Sequence, residues 1–288
     1  MDSHGEKHCG GQAALRMGRR VVGVRLAVPF WPGRAIEMKR ARQAVPLQPG
    51  RKGFDEVQSV WVLQHTPSET LGTIEDVLRG HGIGFEYIET HVGKPVPGEM
   101  AGKAGLIVMG GPMGVYEQAK YPHLRDEMGL IESALTLGRP VLGVCLGSQL
   151  LASVLGAEVK KGDKKELGWH AVSLTELAAQ DTLFAGVGPE FWPFHWHGDV
   201  FSLPKQAVGL ASSRQTPCQA FRYGVNAYGI LFHLEVTREQ ISQMLSDFAE
   251  ELREAGGEAA EITAQIPRHL PDLEKIAGDV FGRWASAL

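Results

Sequence analysis

A cysteine set between two glycines is the residue most able to do covalent chemistry in this chain. The stretch "RPVLGVCLGSQLLASVLGAEV" covers residues 139–159, and Gly143, Cys145 and Gly147 give it the form G-x-C-x-G. An apolar run precedes Cys145 and a helical pattern follows it, so the spacing predicts a nucleophile elbow, which is a sharp strand-to-helix turn. The elbow needs glycines where chain segments pass closely, and the start of the following helix favours a thiolate. The alternative is a buried structural cysteine.

A thiol nucleophile needs a base, and the base needs a group that orients it. In "AYGILFHLEVT", His233 follows an apolar run and Glu235 lies two residues further along. Residues i and i+2 of an extended segment point to the same face. Glu235 can therefore hold one ring nitrogen of His233 while the other nitrogen faces Cys145. The alternative is a part-buried histidine beside an unrelated surface glutamate.

Acyl transfer also needs hydrogen-bond donors for a developing oxyanion. The stretch "VMGGPMG" places Gly110 and Gly111 at the end of another apolar strand, where a backbone N–H can face Cys145. The N–H of Leu146, directly after the cysteine, is the second candidate donor. A plain strand-ending turn could carry the same two glycines.

The elements that must position these residues alternate between strands and helices. Three apolar stretches predict strands: "VQSVWVLQH", "FEYIET" and "AGLIVMGGP". Two amphipathic stretches predict helices: "SETLGTIEDVLRGHG", with Ser68 as its cap, and "HLRDEMGLIESALTLG". The alternation predicts an α/β fold, a mixed, mostly parallel sheet flanked by helices, with Cys145 at the carboxyl edge of a central strand. Short apolar segments between residues 168 and 235 predict antiparallel strands that extend the sheet, and two helices close the chain.

The overall composition narrows the class of protein. The chain has 288 residues, of which 43% are hydrophobic and 22% charged, as in soluble globular proteins. The formal net charge of −4 favours neither a nucleic acid nor an anionic membrane as partner, and no apolar run approaches the roughly 18 residues of a membrane span. The three cysteines, Cys9, Cys145 and Cys218, form no C-x-x-C pair. They argue against disulfides or a cysteine-rich zinc site and predict a reducing, cytoplasmic location.

Charge is unevenly distributed along the chain. Residues 1–53 hold 11 Lys/Arg and 3 Asp/Glu, giving +8, and the remainder holds 18 and 30, giving −12. We predict a basic, disordered N-terminal extension at residues 1–55, a catalytic domain at 56–240, and C-terminal helices at 241–288 packed on that domain. The extension could be a transit peptide, or sequence upstream of the true start.

Taken together, three motifs resemble one family. Gly110-Gly111-Pro112, the elbow around Cys145 and the segment Phe232-His233-Leu234-Glu235 look like the class I glutamine amidotransferase domain. The order and spacing match it, since 145 − 111 is 34 and 233 − 145 is 88. The stretches "HWHGD", "LASS", "QAFRYG" and "FHLEVT" resemble the stand-alone, GMP-synthase-like branch, which includes γ-glutamyl peptidases. The resemblance covers roughly residues 57–240 and implies a flavodoxin-like fold.

The resemblance also implies a reaction and the residues that perform it. It implies attack on a γ-carboxamide, loss of ammonia and hydrolysis of a γ-glutamyl thioester, with glutamine or a γ-glutamyl small molecule as substrate and no cofactor or metal. The implied roles are Cys145 as nucleophile, His233 as general base and acid, Glu235 as its orienter, Gly111 and Leu146 as oxyanion donors, and Gln149 as a contact to glutamine.

Two departures from the family pattern affect these expectations. Leu234 stands where most of the family has proline, which leaves the turn to be fixed by packing. Only 48 residues follow position 240, and no phosphate-cradling glycine loop is visible, so we expect no self-contained GMP synthetase. Ammonia would then be released or passed to a separate synthetase, or the substrate would be a γ-glutamyl peptide.

The stretch "HWHGD" suggests a competing function. His195, His197 and Asp199 form an H-x-H-x-D cluster of the kind that binds zinc in metal-dependent hydrolases. The fuller metal motif has a histidine directly after the aspartate, where this chain has Val200. We expect instead that His197 and Asp199 shape the substrate pocket or hydrogen-bond within a loop. A non-enzymatic alternative is a partner-dependent regulatory protein that retains the fold.

Overall fold

A nine-stranded sheet organises residues 58–288, the part of the chain that the computed structural model describes. The extension predicted at residues 1–55 lies outside these described residues. Strands and helices alternate through the first half of the described part, and short strands dominate the second half until three helices close the chain.

The strands are β1 (Ser59–Gln64), β2 (Gly84–Glu89), β3 (Gly105–Val108), β4 (Val141–Val144), β5 (Val159–Trp169), β6 (Val172–Leu174), β7 (Glu190–Phe191), β8 (Phe194–Phe201), β9 (Val208–Ser213), β10 (Ala220–Tyr223) and β11 (Ala227–Ile230). The helices are α1 (Thr73–Gly80), α2 (His123–Thr136), α3 (Leu146–Val154), α4 (Arg238–Asp247), α5 (Ala249–Glu254) and α6 (Ala259–Ala285).

The sheet has a parallel half and an antiparallel half. Its strand order is β2-β1-β3-β4-β11-β10-β9-β6-β7. The five strands from β2 to β11 are parallel to one another, and β10, β9, β6 and β7 extend the sheet by antiparallel pairing. Strands β5 and β8 form a separate two-stranded sheet. The predicted α/β fold, with a mixed, mostly parallel sheet flanked by helices, is confirmed.

The central strands are continuous apolar runs because protein covers both of their faces. Every residue of β3 and β4 is buried, as is typical of parallel strands between layers of helices. Neighbouring side chains of β1 alternate between two apolar clusters, since Val60 and Val62 belong to one cluster and Trp61 and Leu63 to the other. The sheet is therefore a rigid platform whose carboxyl edge can hold a site.

The first helix begins later than the sequence predicts. Ser68 does not cap it, because α1 begins at Thr73 and follows Gly72, which has a φ of +52°. A Cβ on Gly72 would lie 2.1 Å from the carbonyl oxygen of Glu235, and the N–H of Thr73 donates to that oxygen at 2.9 Å. Residues 65–72 therefore form an irregular loop along the edge of the sheet, close to the segment that carries Glu235.

The C-terminal helices pack on the sheet layer. Helix α6 buries one apolar stripe, which includes Ile266, Leu270 and Leu273, and it packs against α1. Trp169 donates from Nε1 to the carbonyl oxygen of Ile262 at 3.2 Å, which ties α6 to β5. The division predicted at residue 240 falls within α4.

Between residues 58 and 288, no helix combines the length and the apolar character that crossing a bilayer requires.

Candidate active site

Three chain segments that follow neighbouring parallel strands meet at one edge of the sheet. Strand β4 lies between β3 and β11, with Gly143 opposite Val108 and Val144 opposite Ile230. Because parallel strands end at the same edge, the segments that follow them lie side by side. The N–H of Cys145 donates to the carbonyl oxygen of Ile230 at 2.9 Å, which joins the elbow to the strand that leads to the predicted base.

Cys145 has a backbone conformation that L-residues rarely adopt. Its φ is +50° and its ψ is −109°. Strand β4 ends one residue before it and α3 begins one residue after it. Conformations of this kind cost on the order of 1–3 kcal/mol and persist only where the surrounding structure enforces them, as it often does at functional sites. The predicted strand, sharp turn and helix are all present.

The two glycines that flank the cysteine are required by close backbone contacts. A Cβ on Gly143 would lie 2.5 Å from the carbonyl oxygen of Gly147, and a Cβ on Gly147 would lie 2.0 Å from that of Val108. Backbone atoms cannot rotate away as a side chain can. The steric reason that the sequence indicated for both glycines is confirmed.

The Cys145 thiol is almost completely enclosed. Cys145 is 5% exposed, and its Sγ donates to the carbonyl oxygen of Trp196 over 3.7 Å. Burial raises the pKa of this thiol, and the neighbouring His233 ring acts in the opposite direction. The N-terminus of α3 adds a further influence that favours the thiolate.

His233 and Glu235 form a buried pair beside the thiol. Nδ1 of His233 lies 2.6 Å from Oε1 of Glu235, and the two side chains are 1% and 4% exposed. Because a carboxylate only accepts, Nδ1 carries the hydrogen and Nε2 is left for another partner. Burial acts to lower the pKa of His233, but Glu235 and the Cys145 thiol outweigh it and raise this pKa well above its ordinary value.

The two residues predicted to supply the oxyanion donors, Gly111 and Leu146, are in contact. A Cβ on Gly111 would be 2.8 Å from Cδ2 of Leu146, and a Cβ on Gly110 would be 3.4 Å from Cβ of Cys145. Leu146 is the first residue of α3, so its N–H has no acceptor within the helix. The glycine pair thus borders both the nucleophile and the start of the helix.

Glu69 is a buried carboxyl group at this site that the sequence does not single out. A Cβ on Gly110 would lie 2.3 Å from Oε1 of Glu69. Gly110 is the same glycine that contacts Cys145. Burial raises the pKa of Glu69, while His233 and a hydrogen bond from Thr66 act to lower it. Glu69 belongs to the loop that the sequence predicts as the first turn of a helix. Its one sequence signal is an acid placed shortly after the end of a buried strand.

The residues predicted to contact the substrate lie on the neighbouring β8 and α3. Nε2 of Gln149 donates to the backbone carbonyl of Asp199 over 3.4 Å, and the Tyr116 hydroxyl donates to Oδ1 of Asp199 over 3.4 Å. Burial raises the pKa of the Asp199 carboxyl. His197 is buried beside His195, and burial together with His233 lowers its pKa. Their contacts to a substrate stay a prediction.

The H-x-H-x-D metal set does not assemble as its sequence spacing suggests. In the described part of the chain, the three side chains whose ligand atoms lie within 4.8 Å of one another are Glu166, His195 and His197, and Asp199 is not among them. Burial lowers the pKa of both histidines, that of His197 to about 3, so both rings are neutral at pH 7.

One nitrogen of each histidine and the Glu166 carboxylate are engaged with neighbouring groups, while Nε2 of His195 and Nδ1 of His197 make no hydrogen bond within the described residues. Nδ1 of His195 lies 3.3 Å from Nε2 of His197. The carboxylate of Glu166 accepts from three donors, the Ser213 hydroxyl at 2.6 Å, the Thr216 hydroxyl at 2.6 Å and the Gln219 amide at 2.8 Å. A carboxylate that accepts from three neutral donors fits a structural hydrogen-bond network better than a metal ligand.

Comparisons with known proteins agree with this fold. The family profile for "Glutamine amidotransferase class-I" matches residues 81–252. The glutamine amidotransferase-like protein YfeJ of Salmonella typhimurium is 33% identical over 196 residues, which make up 67% of this chain and 82% of YfeJ. The crystal structure of a glutamine amidotransferase from Thermotoga maritima matches with a TM-score of 0.73 at 31% identity, over 80% of this chain and 98% of that one.

Longer proteins contain a similar domain. GMP synthase [glutamine-hydrolyzing] of Thermosipho melanesiensis is 35% identical over 150 residues, which make up 51% of this chain and 27% of that protein. The match therefore extends over most of the stand-alone relative and over a limited part of the synthase.

Proposed function

This chain belongs to the class I glutamine amidotransferase family, and from that membership we propose that it hydrolyses a γ-carboxamide through Cys145, His233 and Glu235. The substrate is glutamine or a γ-glutamyl small molecule. One observation carries the proposal: Cys145 has a φ of +50° between a buried strand and a helix, and the buried histidine that acts to lower the pKa of its thiol has its Nδ1 2.6 Å from a carboxylate.

The proposed first half-reaction forms a thioester. Sγ of Cys145 attacks the γ-carbonyl carbon while Nε2 of His233 takes the thiol proton. The tetrahedral intermediate collapses, the C–N bond breaks, and His233 gives its proton to the departing nitrogen, which leaves as ammonia or an amine. Glu235 keeps Nδ1 protonated and stabilises the imidazolium that forms between the two proton transfers.

The second half-reaction restores the enzyme. Water attacks the γ-glutamyl thioester as Nε2 of His233 takes one of its protons, and the C–S bond then breaks to give a thiolate and a γ-carboxylic acid, which loses the second proton to solvent and leaves as the carboxylate. The proton on His233 returns to the sulfur or remains shared with it. In both halves the backbone N–H groups of Gly111 and Leu146 donate to the negative oxygen of the tetrahedral intermediate.

The substrate and the fate of ammonia are part of the same proposal. Gln149, His197 and Asp199 line the substrate pocket, and the Asp199 carboxylate offers a partner for an α-ammonium group. The matched domain makes up 27% of the Thermosipho GMP synthase, so the synthetase activity of that protein is not carried over to this chain. Ammonia is released, or it is used by a separate synthetase.

The test is release of ammonia and glutamate from glutamine and from γ-glutamyl dipeptides, with wild-type protein, Cys145→Ala and Cys145→Ser. We expect turnover by the wild type with at least one of these substrates, and a loss of at least about 10³-fold in both variants, as for removal of other catalytic nucleophiles. Undiminished turnover by Cys145→Ala would show that another residue is the nucleophile. Thioester trapping by hydroxylamine, giving a γ-glutamyl hydroxamate, separates this route from direct attack by water.

A further inference from the structure

A chain of polar side chains ends on the glycine pair beside the nucleophile. Nδ1 of His65 lies 2.8 Å from the carbonyl oxygen of Gly110, and Nε2 of the same ring lies 2.8 Å from Oε2 of Glu127. Nδ1 of His123 lies 2.8 Å from the other oxygen of Glu127. The side chains of His65 and Glu127 are both 0% exposed, so water does not compete for the bonds between them.

The position of His65 sets what it can influence. It directly follows β1, and Gly110 follows β3, its parallel neighbour in the sheet. A Cβ on Gly111 would lie 2.8 Å from Cβ of His65 and 2.8 Å from Cδ2 of Leu146. Gly111 is thus enclosed between the histidine and the first residue of α3.

The hydrogen bond from His65 orients a whole peptide unit. The carbonyl of Gly110 and the N–H of Gly111 belong to one planar trans peptide, so they point in opposite directions. A bond that draws the carbonyl toward His65 therefore turns the N–H of Gly111 away from His65. Neither glycine has a Cβ to restrict backbone rotation, so this peptide can turn over readily unless a partner holds it.

The charges favour a histidine that donates from both nitrogens. Burial acts to lower the pKa of His65, but Glu127 outweighs it and the pKa is raised. Burial acts to raise the pKa of Glu127, but His65 and His123 outweigh it and this pKa is lowered. The carbonyl of Gly110 and the carboxylate of Glu127 both accept, so a ring that bonds both donates from each nitrogen as an imidazolium, and the directions of the two pKa shifts agree with this.

We propose that His65, anchored by Glu127, is a positioning residue that holds the Gly110–Gly111 peptide so that the N–H of Gly111 faces the oxyanion. The inference rests on the hydrolysis proposed above, because the oxyanion arises in that reaction. Removing an oxyanion donor lowers kcat by about 10²–10³-fold, so loss of its orientation should lower kcat by about 10–100-fold. KM should change little, because the donor acts in the transition state.

Two substitutions at position 65 separate the two bonds of the ring. Asparagine places its amide N–H near the position of Nδ1, within reach of the Gly110 carbonyl, and glutamine places its amide near the position of Nε2, within reach of residue 127. The variants are His65→Asn and His65→Gln, both combined with Glu127→Gln so that no buried charge is left without a partner. Exposed His91, whose Nδ1 lies 3.5 Å from the carbonyl oxygen of Gln64, provides the control His91→Gln.

We expect the asparagine variant to keep kcat within about threefold of Glu127→Gln alone, and the glutamine variant to lose about 10–100-fold. Binding of glutamate γ-semialdehyde, which forms a tetrahedral adduct with the thiol, should weaken by the same factor. Alkylation of Cys145 by iodoacetamide, which develops no oxyanion, should proceed at the wild-type rate in both variants, as should turnover by His91→Gln.

Equal kcat in the asparagine and glutamine variants would overturn the proposal, as would a parallel loss of kcat and alkylation rate. If either variant lacks the thermal unfolding transition of a folded protein, the proposal can still be tested on the wild type. NMR of the protein labelled with ¹⁵N-histidine must show His65 protonated on Nδ1 at neutral pH, and an unprotonated Nδ1 contradicts the mechanism. Failure of the wild type to hydrolyse any γ-carboxamide is a different result, because it would remove the proposed function itself.

Discussion

Replacing Glu235 by glutamine removes one charge from the proposed catalytic pair and keeps its shape. Oε1 of Glu235 accepts from Nδ1 of His233 at 2.6 Å, and the buried Oε2 makes no hydrogen bond within the described part of the chain. The amide of Glu235→Gln can therefore turn its oxygen toward Nδ1 and keep the ring orientation. The variant measures the negative charge rather than the hydrogen bond.

The expected magnitude follows from the difference between two kinds of hydrogen bond. A bond to a charged group contributes about 1.5–3 kcal/mol and a bond between neutral groups about 0.5–1.5 kcal/mol. The imidazolium of His233 would lose this difference, about 1–2 kcal/mol, which corresponds to a decrease in kcat of about 5–30-fold. A larger loss would indicate that the ring has also lost its orientation.

The same substitution should move the pH profile in a defined direction. Glu235 raises the pKa of His233, and the thiol and the imidazole titrate as a coupled pair. Removing a negative charge disfavours the more protonated, more positively charged states of this pair, so both of its pKa values should fall. Both limbs of the profile of kcat/KM should therefore shift to lower pH.

The assay is ammonia release from the preferred substrate across the pH range, with wild type and Glu235→Gln in parallel. Asp181→Asn is the control, because Asp181 is another buried acid, paired with Arg222 at 2.6 Å and away from the elbow. It should lower Tm and leave the profile in place. The assigned role of the Glu235 charge would be refuted if either limb of the Glu235→Gln profile shifted to higher pH, or if neither limb shifted.

Two further substitutions test the packing of the elbow and the charge beside it. Gly147→Ala places a Cβ 2.0 Å from the carbonyl oxygen of Val108, so the free energy of unfolding should fall by at least about 1–3 kcal/mol and turnover should fall with it. Gly129→Ala in α2 has nothing within 4 Å of its new Cβ, so thermal denaturation should show unchanged or higher stability; equal effects of the two would contradict the steric argument. Glu69 acts to raise the pKa of Cys145, so Glu69→Gln should lower the pH midpoint of alkylation of this thiol by iodoacetamide, and an upward shift would contradict that electrostatic effect.

The elbow could be predicted from the sequence because everything that forms it is local. An apolar strand, a cysteine with glycines two residues to either side and a helical pattern lie within about 20 residues, and the steric reason for the glycines follows from that spacing. The alternation of strands and helices predicted the sheet in the same way, since the period of apolar residues reflects which faces are buried.

The surroundings of the elbow could not be predicted in that way. The start of α1 at Thr73 depends on a contact between Gly72 and the carbonyl of Glu235, 163 residues along the chain. The sequence therefore gave no reason to interpret Ser68 as anything but a helix cap. Glu127 carried a weak signal, an acid at a buried position of α2 between Leu124 and Leu130, but nothing local identifies its partner.

Residue types and their spacing were enough to predict the α/β fold and the residues that we propose attack, take a proton and orient. Those properties depend on residue type and short-range periodicity, which the chain carries without knowledge of its neighbours. Only the folded chain shows that β3, β4 and β11 lie side by side, that His65 and Glu69 border the glycine pair, and that Glu166 rather than Asp199 lies with the two histidines. These contacts arise from packing between segments far apart in the chain, and no local pattern specifies the partner of a buried polar group.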